Sequence, residues 1–128
     1  MFLRRVNTVR IARRKTPEDA ENKAFRATGF DSLSLMDLIE NYPSGGTAFI
    51  GFFAVDASLS GRGIGTKIIA GCLKTFFEQG FKKARLAVDY GNCQSKAFWT
   101  KNGFTFTGEE YPNDFSSYLV MEKTDSCR

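Results

Sequence analysis

The sequence contains no histidine. That absence excludes Ser–His and Cys–His nucleophilic catalysis and any histidine-ligated metal site. Catalysis, if there is any, falls to carboxylates, tyrosines, backbone groups or water. Cysteine is scarce: Cys72, Cys93 and Cys127 are odd in number and lack metal-ligand spacing. Such usage points to a reducing compartment, with the cytoplasm as the expected location, and to no metal. No apolar run is long enough to cross a membrane, and nothing resembles a secretory leader, so no membrane partner is expected. Internal repeats and low-complexity tracts are absent as well. The basic surplus is small, a formal net charge of +4. It favours anionic ligands in a general way, but it is too modest and too spread to argue for nucleic acid. No aromatic–basic stripe of the RNA-binding kind is present either.

What is present is enough apolar material for one real core. The 128 residues are 42% hydrophobic and include thirteen Phe, which suits a single folded domain over 1–128. Val6, Thr8, Val9 and Ile11 predict a first strand with basic flanks. Thr16-Pro17-Glu18-Asp19 is a helix start, with Thr as N-cap, Pro at the first helical position and acids in the first turn. That helix is expected to run to about Ala27. Leu33, Leu35, Met36, Leu38 and Ile39 suggest a second helix over 32–41, closed by Pro43-Ser44-Gly45-Gly46. A strand follows over 47–55. Ile64, Ile68, Ile69, Cys72, Leu73, Phe76 and Phe77 then recur at helical spacing until Gly80 stops them. A strand over 84–89 and a helix over 94–102 come next, the helix closed by Gly103 with Phe104 behind it. Two strands, over 105–108 and 117–122, finish the chain around the turn Pro112-Asn113-Asp114. The order β-α-α-β-α-β-α-β-β is that of an α/β domain.

The most informative stretch is Ser60-Gly61-Arg62-Gly63-Ile64-Gly65, between an apolar strand and an amphipathic helix. The first turn of a helix has unpaired N–H donors and a partial positive charge, so it attracts anions. Glycines let the main chain approach such a ligand closely. A P-loop would need Lys and then Ser or Thr after the last glycine, whereas Thr66-Lys67 reverses that order. A dinucleotide fingerprint would need glycine where Ile68 stands, although Asp89 lies near the distance at which its acidic residue is found. On the loop alone, a nucleotide fold and a plain tight turn both stay open.

Two segments together resemble the GNAT family of acyl-CoA-dependent N-acetyltransferases. Ser60-Gly61-Arg62-Gly63-Ile64-Gly65-Thr66 is similar to that family's acyl-CoA loop, (Gln/Arg)-x-x-Gly-x-(Gly/Ala). Asn92-Cys93-Gln94-Ser95-Lys96-Ala97-Phe98-Trp99-Thr100-Lys101-Asn102-Gly103-Phe104 is similar to the block that closes its coenzyme site. The resemblance covers about 48–123 well. It implies a mixed central sheet flanked by helices, with acetyl-CoA as co-substrate and no metal. By analogy, backbone N–H groups from Arg62 to Thr66 would hold the pyrophosphate, assisted by the Thr66 hydroxyl. The edge of the strand over 49–55 would receive the pantetheine arm, in a slot made where two strands splay near Val55 and Leu86. The implied coenzyme set is Val55, Ser60, Gly61, Arg62, Gly63, Ile64, Gly65, Thr66, Asn92 and Phe98.

Three departures from the family pattern bear on function. Ser60 replaces the leading Gln or Arg, which removes a long side chain but no backbone donor. Phe49 stands where some members carry a Glu base, and Trp99 where a Tyr acid is frequent. Substitutes include Tyr90, Tyr111 and Tyr118 as acids and Asp56, Asp89, Glu109, Glu110 or Asp114 as bases. Tyr111, Glu109 and Cys93 are kept as the catalytic candidates. A thiolate leaving group, with a pKa of roughly 8.5, needs little acid assistance. Positioning plus a carbonyl-binding N–H near Val55 to Ala57 is therefore physically adequate. Finally, only 42–47 separates the paired helices from the motif strand, so the two extra strands expected there are missing or very short. The first strand would then pair directly with the strand over 47–55, leaving an edge that a homodimer would cover. The implied activity is transfer of an acetyl group from acetyl-CoA to a primary amine, on a small molecule or a peptide, by direct attack in a ternary complex. The alternative is a catalytically degenerate acyl-CoA-binding or regulatory module.

Overall fold

The computed structural model describes residues 10–14, 34–56 and 63–125. Its elements are β1 (Arg10–Arg14), β2 (Ser34–Glu40), β3 (Thr47–Val55), α1 (Ile64–Glu78), β4 (Lys83–Asp89), α2 (Cys93–Lys101), β5 (Thr105–Pro112) and β6 (Ser117–Thr124). The six strands form one mixed sheet in the order β1-β2-β3-β4-β6-β5. β1 runs parallel to β2 and β3 parallel to β4, while β2–β3, β4–β6 and β5–β6 are antiparallel.

The segment expected as a second helix over 32–41 is instead strand β2. Met36, Asp37, Leu38 and Ile39 are all buried, so both faces of the strand are covered. A strand buried on both faces loses the polar alternation that marks a half-exposed one, and its apolar run then also fits a helical stripe. Pairing with β1 on one side and β3 on the other outweighs the helical preference of Leu and Met. The hairpin between β2 and β3 turns at Asn41, whose φ is +58° and whose Oδ1 accepts the Gly46 N–H at 2.8 Å. Of the two strands expected ahead of β3, the described residues hold this one. β1 consequently pairs with β2 rather than with β3. Its described part is Arg10–Arg14; Val6, Thr8 and Val9 of the expected first strand, and the expected helix from Thr16 to about Ala27, lie outside the described residues.

The later elements follow the local signals. α1 buries Ile68, Ile69, Cys72, Leu73 and Phe76, and Gly80 ends it at φ +105° with the Phe81 N–H bonded to the Phe76 carbonyl. α2 starts at Asn92, whose side chain accepts the Ser95 N–H at 2.9 Å. It stops at Gly103, φ +95°, where the Phe104 N–H returns to the Trp99 carbonyl. β5 runs past its expected end at 108, because the register with β6 shifts between Phe106 and Glu110 and pairing then resumes. Both helices lie on the face formed by Met36, Leu38, Ala48, Ile50, Leu86, Val88 and Met121. Each large apolar side chain fully buried there contributes about 1.5–3 kcal/mol.

Candidate functional site

β3 and β4 pair only from Thr47 with Lys83 to Ile50 with Leu86. At the same level the β2–β3 register shifts: Leu38 faces Ile50 but Asp37 faces Phe52, leaving Gly51 as an extra residue in β3. Such a bulge bends a strand and increases its twist. β3 therefore turns away from β4 just where their ladder ends. Beyond that point the far half of β4 pairs only with β6, Asp89 reaching Tyr118. The β3 edge from Gly51 onward is left open toward the gap.

Aromatic side chains form the helix-side wall of this gap. Phe53 and Phe98 stack with centroids 6.2 Å apart, and Phe98 meets Trp99 edge-on at 4.9 Å. Trp99 in turn meets Phe104 at 5.2 Å. The cleft is lined by Phe53, Val55, Gly65, Asn92, Gln94, Ser95, Phe98 and Trp99. Across it stands the start of α1. Gly63, with φ +74°, makes the left-handed turn into the helix, and the first turn carries no acidic residue and no side-chain cap. The N–H groups of Ile64, Gly65 and Thr66 thus keep their capacity for an anion. Gly65 is needed for a different reason. A Cβ there would lie 3.2 Å from the Phe98 ring and 3.7 Å from Val55, so glycine lets α1 close onto α2 and the end of β3.

The structure brings Val55, Gly65, Asn92 and Phe98 together around one cleft, with Gly63, Ile64 and Thr66 in the adjoining turn. Ser60, Gly61 and Arg62 lie outside the described residues. The three catalytic candidates do not line the cleft. Cys93 is exposed at the first position of α2. Glu109 is half-exposed on β5, where Arg85 grips it with two hydrogen bonds of 2.9 and 3.2 Å and also bonds Glu122 at 2.8 Å. The Tyr111 hydroxyl donates to the same carboxylate at 3.0 Å. Arg85 first and Tyr111 second pull the Glu109 pKa down to about 2, which makes its carboxylate a poor proton acceptor at neutral pH. Glu109 in turn raises Arg85 above its ordinary value. Of the other acids, Glu110 accepts from the Ser117 hydroxyl, and Asp89 accepts the Gly91 N–H at 2.9 Å and the Asn113 amide at 3.3 Å. Trp99 is part of the wall, and Phe49 pairs with Arg85 in the closed part of the ladder.

Sequence reasoning missed Phe53, Gln94 and Ser95 in the lining, and the bulge that opens the gap. Its one signal was Gly51 inside an otherwise apolar strand, where an isolated glycine marks a bulge. Buried Asp37, opposite Phe52 at the register shift, was hidden by the helical reading of 32–41. Among the described residues no group of Cys, Asp and Glu is arranged to hold a metal ion. No helix of theirs is long and apolar enough to cross a membrane.

Comparison with known proteins bears on this geometry. The acetyltransferase (GNAT) family model matches residues 22–104. Among solved structures, Ard1 from Thermoplasma volcanium is similar at a TM-score of 0.60 and 26% identity, over 70% of this chain and 60% of that one. A chimera of spermidine N-acetyltransferase from Vibrio cholerae and hSSAT has a TM-score of 0.65 at 19% identity, over 75% and 63%. The PaiA N-acetyltransferase from Thermoplasma acidophilum, in complex with coenzyme A, has a TM-score of 0.54 at 23% identity, over 63% and 48%. The last two likenesses speak for the fold alone. The chain spans less than two thirds of the length of each of these proteins. No curated protein matches it.

Proposed function

Since the chain belongs to the GNAT family of acetyltransferases, we propose that it moves an acetyl group from acetyl-CoA to a primary amine. The observation that supports this most is the coincidence of three features at one place. The open β3 edge, the uncapped first turn of α1 and the wall of α2 all meet where β3 leaves β4. Each suits a different part of the coenzyme. The β3 edge from Gly51 onward offers main-chain groups to the amides of a pantetheine arm, as an added strand would use them. The N–H groups of Ile64, Gly65 and Thr66 suit a pyrophosphate. Phe53, Phe98 and Trp99 supply apolar cover that keeps water from the thioester.

Bound acetyl-CoA supplies an activated acyl group and a good leaving thiolate. The amine nitrogen bonds to the thioester carbonyl carbon, the C–S bond breaks, and the proton shed by the amine goes to the thiolate. Among the described residues no cysteine lines the cleft, so direct attack in a ternary complex is the simplest course. The chain then contributes position and a main-chain donor for the carbonyl oxygen.

One observation favours a second reading. Among the described residues the lining includes no carboxylate, tyrosine or thiol, as a module that binds the coenzyme without turnover would show. A single experiment separates the two: titrate the purified protein with acetyl-CoA, then follow free-thiol release over a panel of amines that includes spermidine and peptides with free N-termini. Saturable binding with amine-dependent thiol release supports the enzyme. Binding without release across the panel supports the module. Absence of binding, or undiminished binding by Gly63→Glu, overturns both.

A further inference from the structure

We infer that Asn102 is a positioning residue for the coenzyme's phosphates, acting through the hydroxyl of Thr66; this rests on the coenzyme reading above. Asn102 sits at the C-cap of α2, half-buried where α1, α2 and β6 converge. Its amide Nδ2 donates to the Phe98 carbonyl at 2.8 Å and to Thr66 Oγ1 at 3.4 Å. The shorter bond fixes the amide's orientation, because a carbonyl oxygen only accepts and the group facing it must be the NH2. The second hydrogen of that NH2 then points at Thr66. Asn102 itself is anchored through its backbone carbonyl, which accepts from Lys123 Nζ on β6 at 3.1 Å. Gly103 leaves room for that lysine, since a Cβ there would lie 2.6 Å from Nζ.

The consequence is directional. A hydroxyl carries one proton and two lone pairs. With one lone pair facing the Asn102 amide, Thr66 keeps its proton for donation away from α2. Thr66 is the third residue of α1, in the turn whose N–H groups suit the pyrophosphate. Asn102 thus presets a side-chain donor beside the backbone donors, and the ordering cost is met in the folded protein rather than on binding.

Asn102→Ala, Thr66→Val and the double variant test this by titration with acetyl-CoA and, by chemical-shift titration, with acetyl-pantetheine, which lacks the phosphates. Thr66→Val is expected to weaken acetyl-CoA about tenfold, the scale of one hydrogen bond to a charged group. Asn102→Ala is expected to weaken it about fivefold, with the double variant no worse than Thr66→Val because both act on one hydroxyl. Acetyl-pantetheine binding should stay unchanged in all three. Equal weakening of acetyl-pantetheine would assign Asn102 a merely structural role and overturn the inference. Multiplicative losses in the double variant, or unaltered acetyl-CoA binding by Asn102→Ala, would also overturn it. Failure of the wild type to bind acetyl-CoA would overturn the coenzyme reading first, which keeps the two failures distinct.

Discussion

Gly63 and Gly65 stand two residues apart in the same turn but answer different demands. Gly63 needs a left-handed backbone, and among the described residues no atom lies within 4 Å of a would-be Cβ; Gly65 needs no unusual φ but abuts Phe98. Gly63→Ala should therefore cost about 1–2 kcal/mol from conformation alone. Gly65→Val should cost about 1–3 kcal/mol from overpacking, and should also weaken acetyl-CoA by pushing α1 off α2. Denaturant unfolding together with coenzyme titration separates the two: equal losses of affinity would refute the distinction. Glu109 is a residue-scale case of another kind. Folding lowers its pKa from the ordinary 4.5 to about 2. The unfolded chain therefore binds more protons between those values, and the stability from the Arg85 pair is complete above about pH 4.5. It drains away as the pH falls toward about 2. Urea midpoints at pH 7, 4 and 3 should show wild type losing its advantage over Glu109→Gln as the acid limb is entered. A gap that stays constant with pH would show that the pair is too exposed to matter.

At the scale of elements, α2 does more than close the fold, because it carries the wall of the cleft. It also carries Trp99, the only tryptophan of the chain and a built-in reporter. Acetyl-CoA should change the Trp99 emission saturably, with the same midpoint as calorimetry. Binding seen by calorimetry without a change in emission would move the coenzyme away from α2. The helices α1 and α2 were legible in the sequence because their signals are local: stripes at helical spacing, the Asn92 cap, and the stops at Gly80 and Gly103. β2 was not, because Leu35, Met36, Leu38 and Ile39 satisfy both periods. What decides between them is pairing with strands far along the chain. The same holds for the site. Val55, Gly65, Asn92 and Phe98 could be named from motif spacing, but the cleft exists because of a register shift, which only Gly51 hinted at. Arg85 binds acids 24 and 37 residues away, a grouping that strand order creates and local sequence does not disclose.

For the whole molecule, the decisive fact is that the parallel pair β3–β4, joined through α1, lies at the centre of the sheet. Crevices outside the carboxyl ends of such strands are where open α/β sheets bind ligands. A ligand held there touches β3, α1 and α2 together, so it should stabilise the fold as a unit. At a hundredfold excess over its dissociation constant, acetyl-CoA should add about 2.7 kcal/mol and raise Tm by roughly 10 °C for a domain of this size. A buried thiol offers an independent check. Cys72 lies in the core face of α1, where burial pushes its pKa up to about 12, whereas Cys93 is exposed. In a Cys127→Ser background, a thiol reagent should modify Cys93 at once and Cys72 only through opening of the core. If the molecule opens as one unit, acetyl-CoA should slow Cys72 modification about a hundredfold at that same excess, in step with the gain in stability. Slowing of only a few-fold would mean that the core around α1 opens while the coenzyme stays bound. The cleft would then be energetically separate from the helix that begins it.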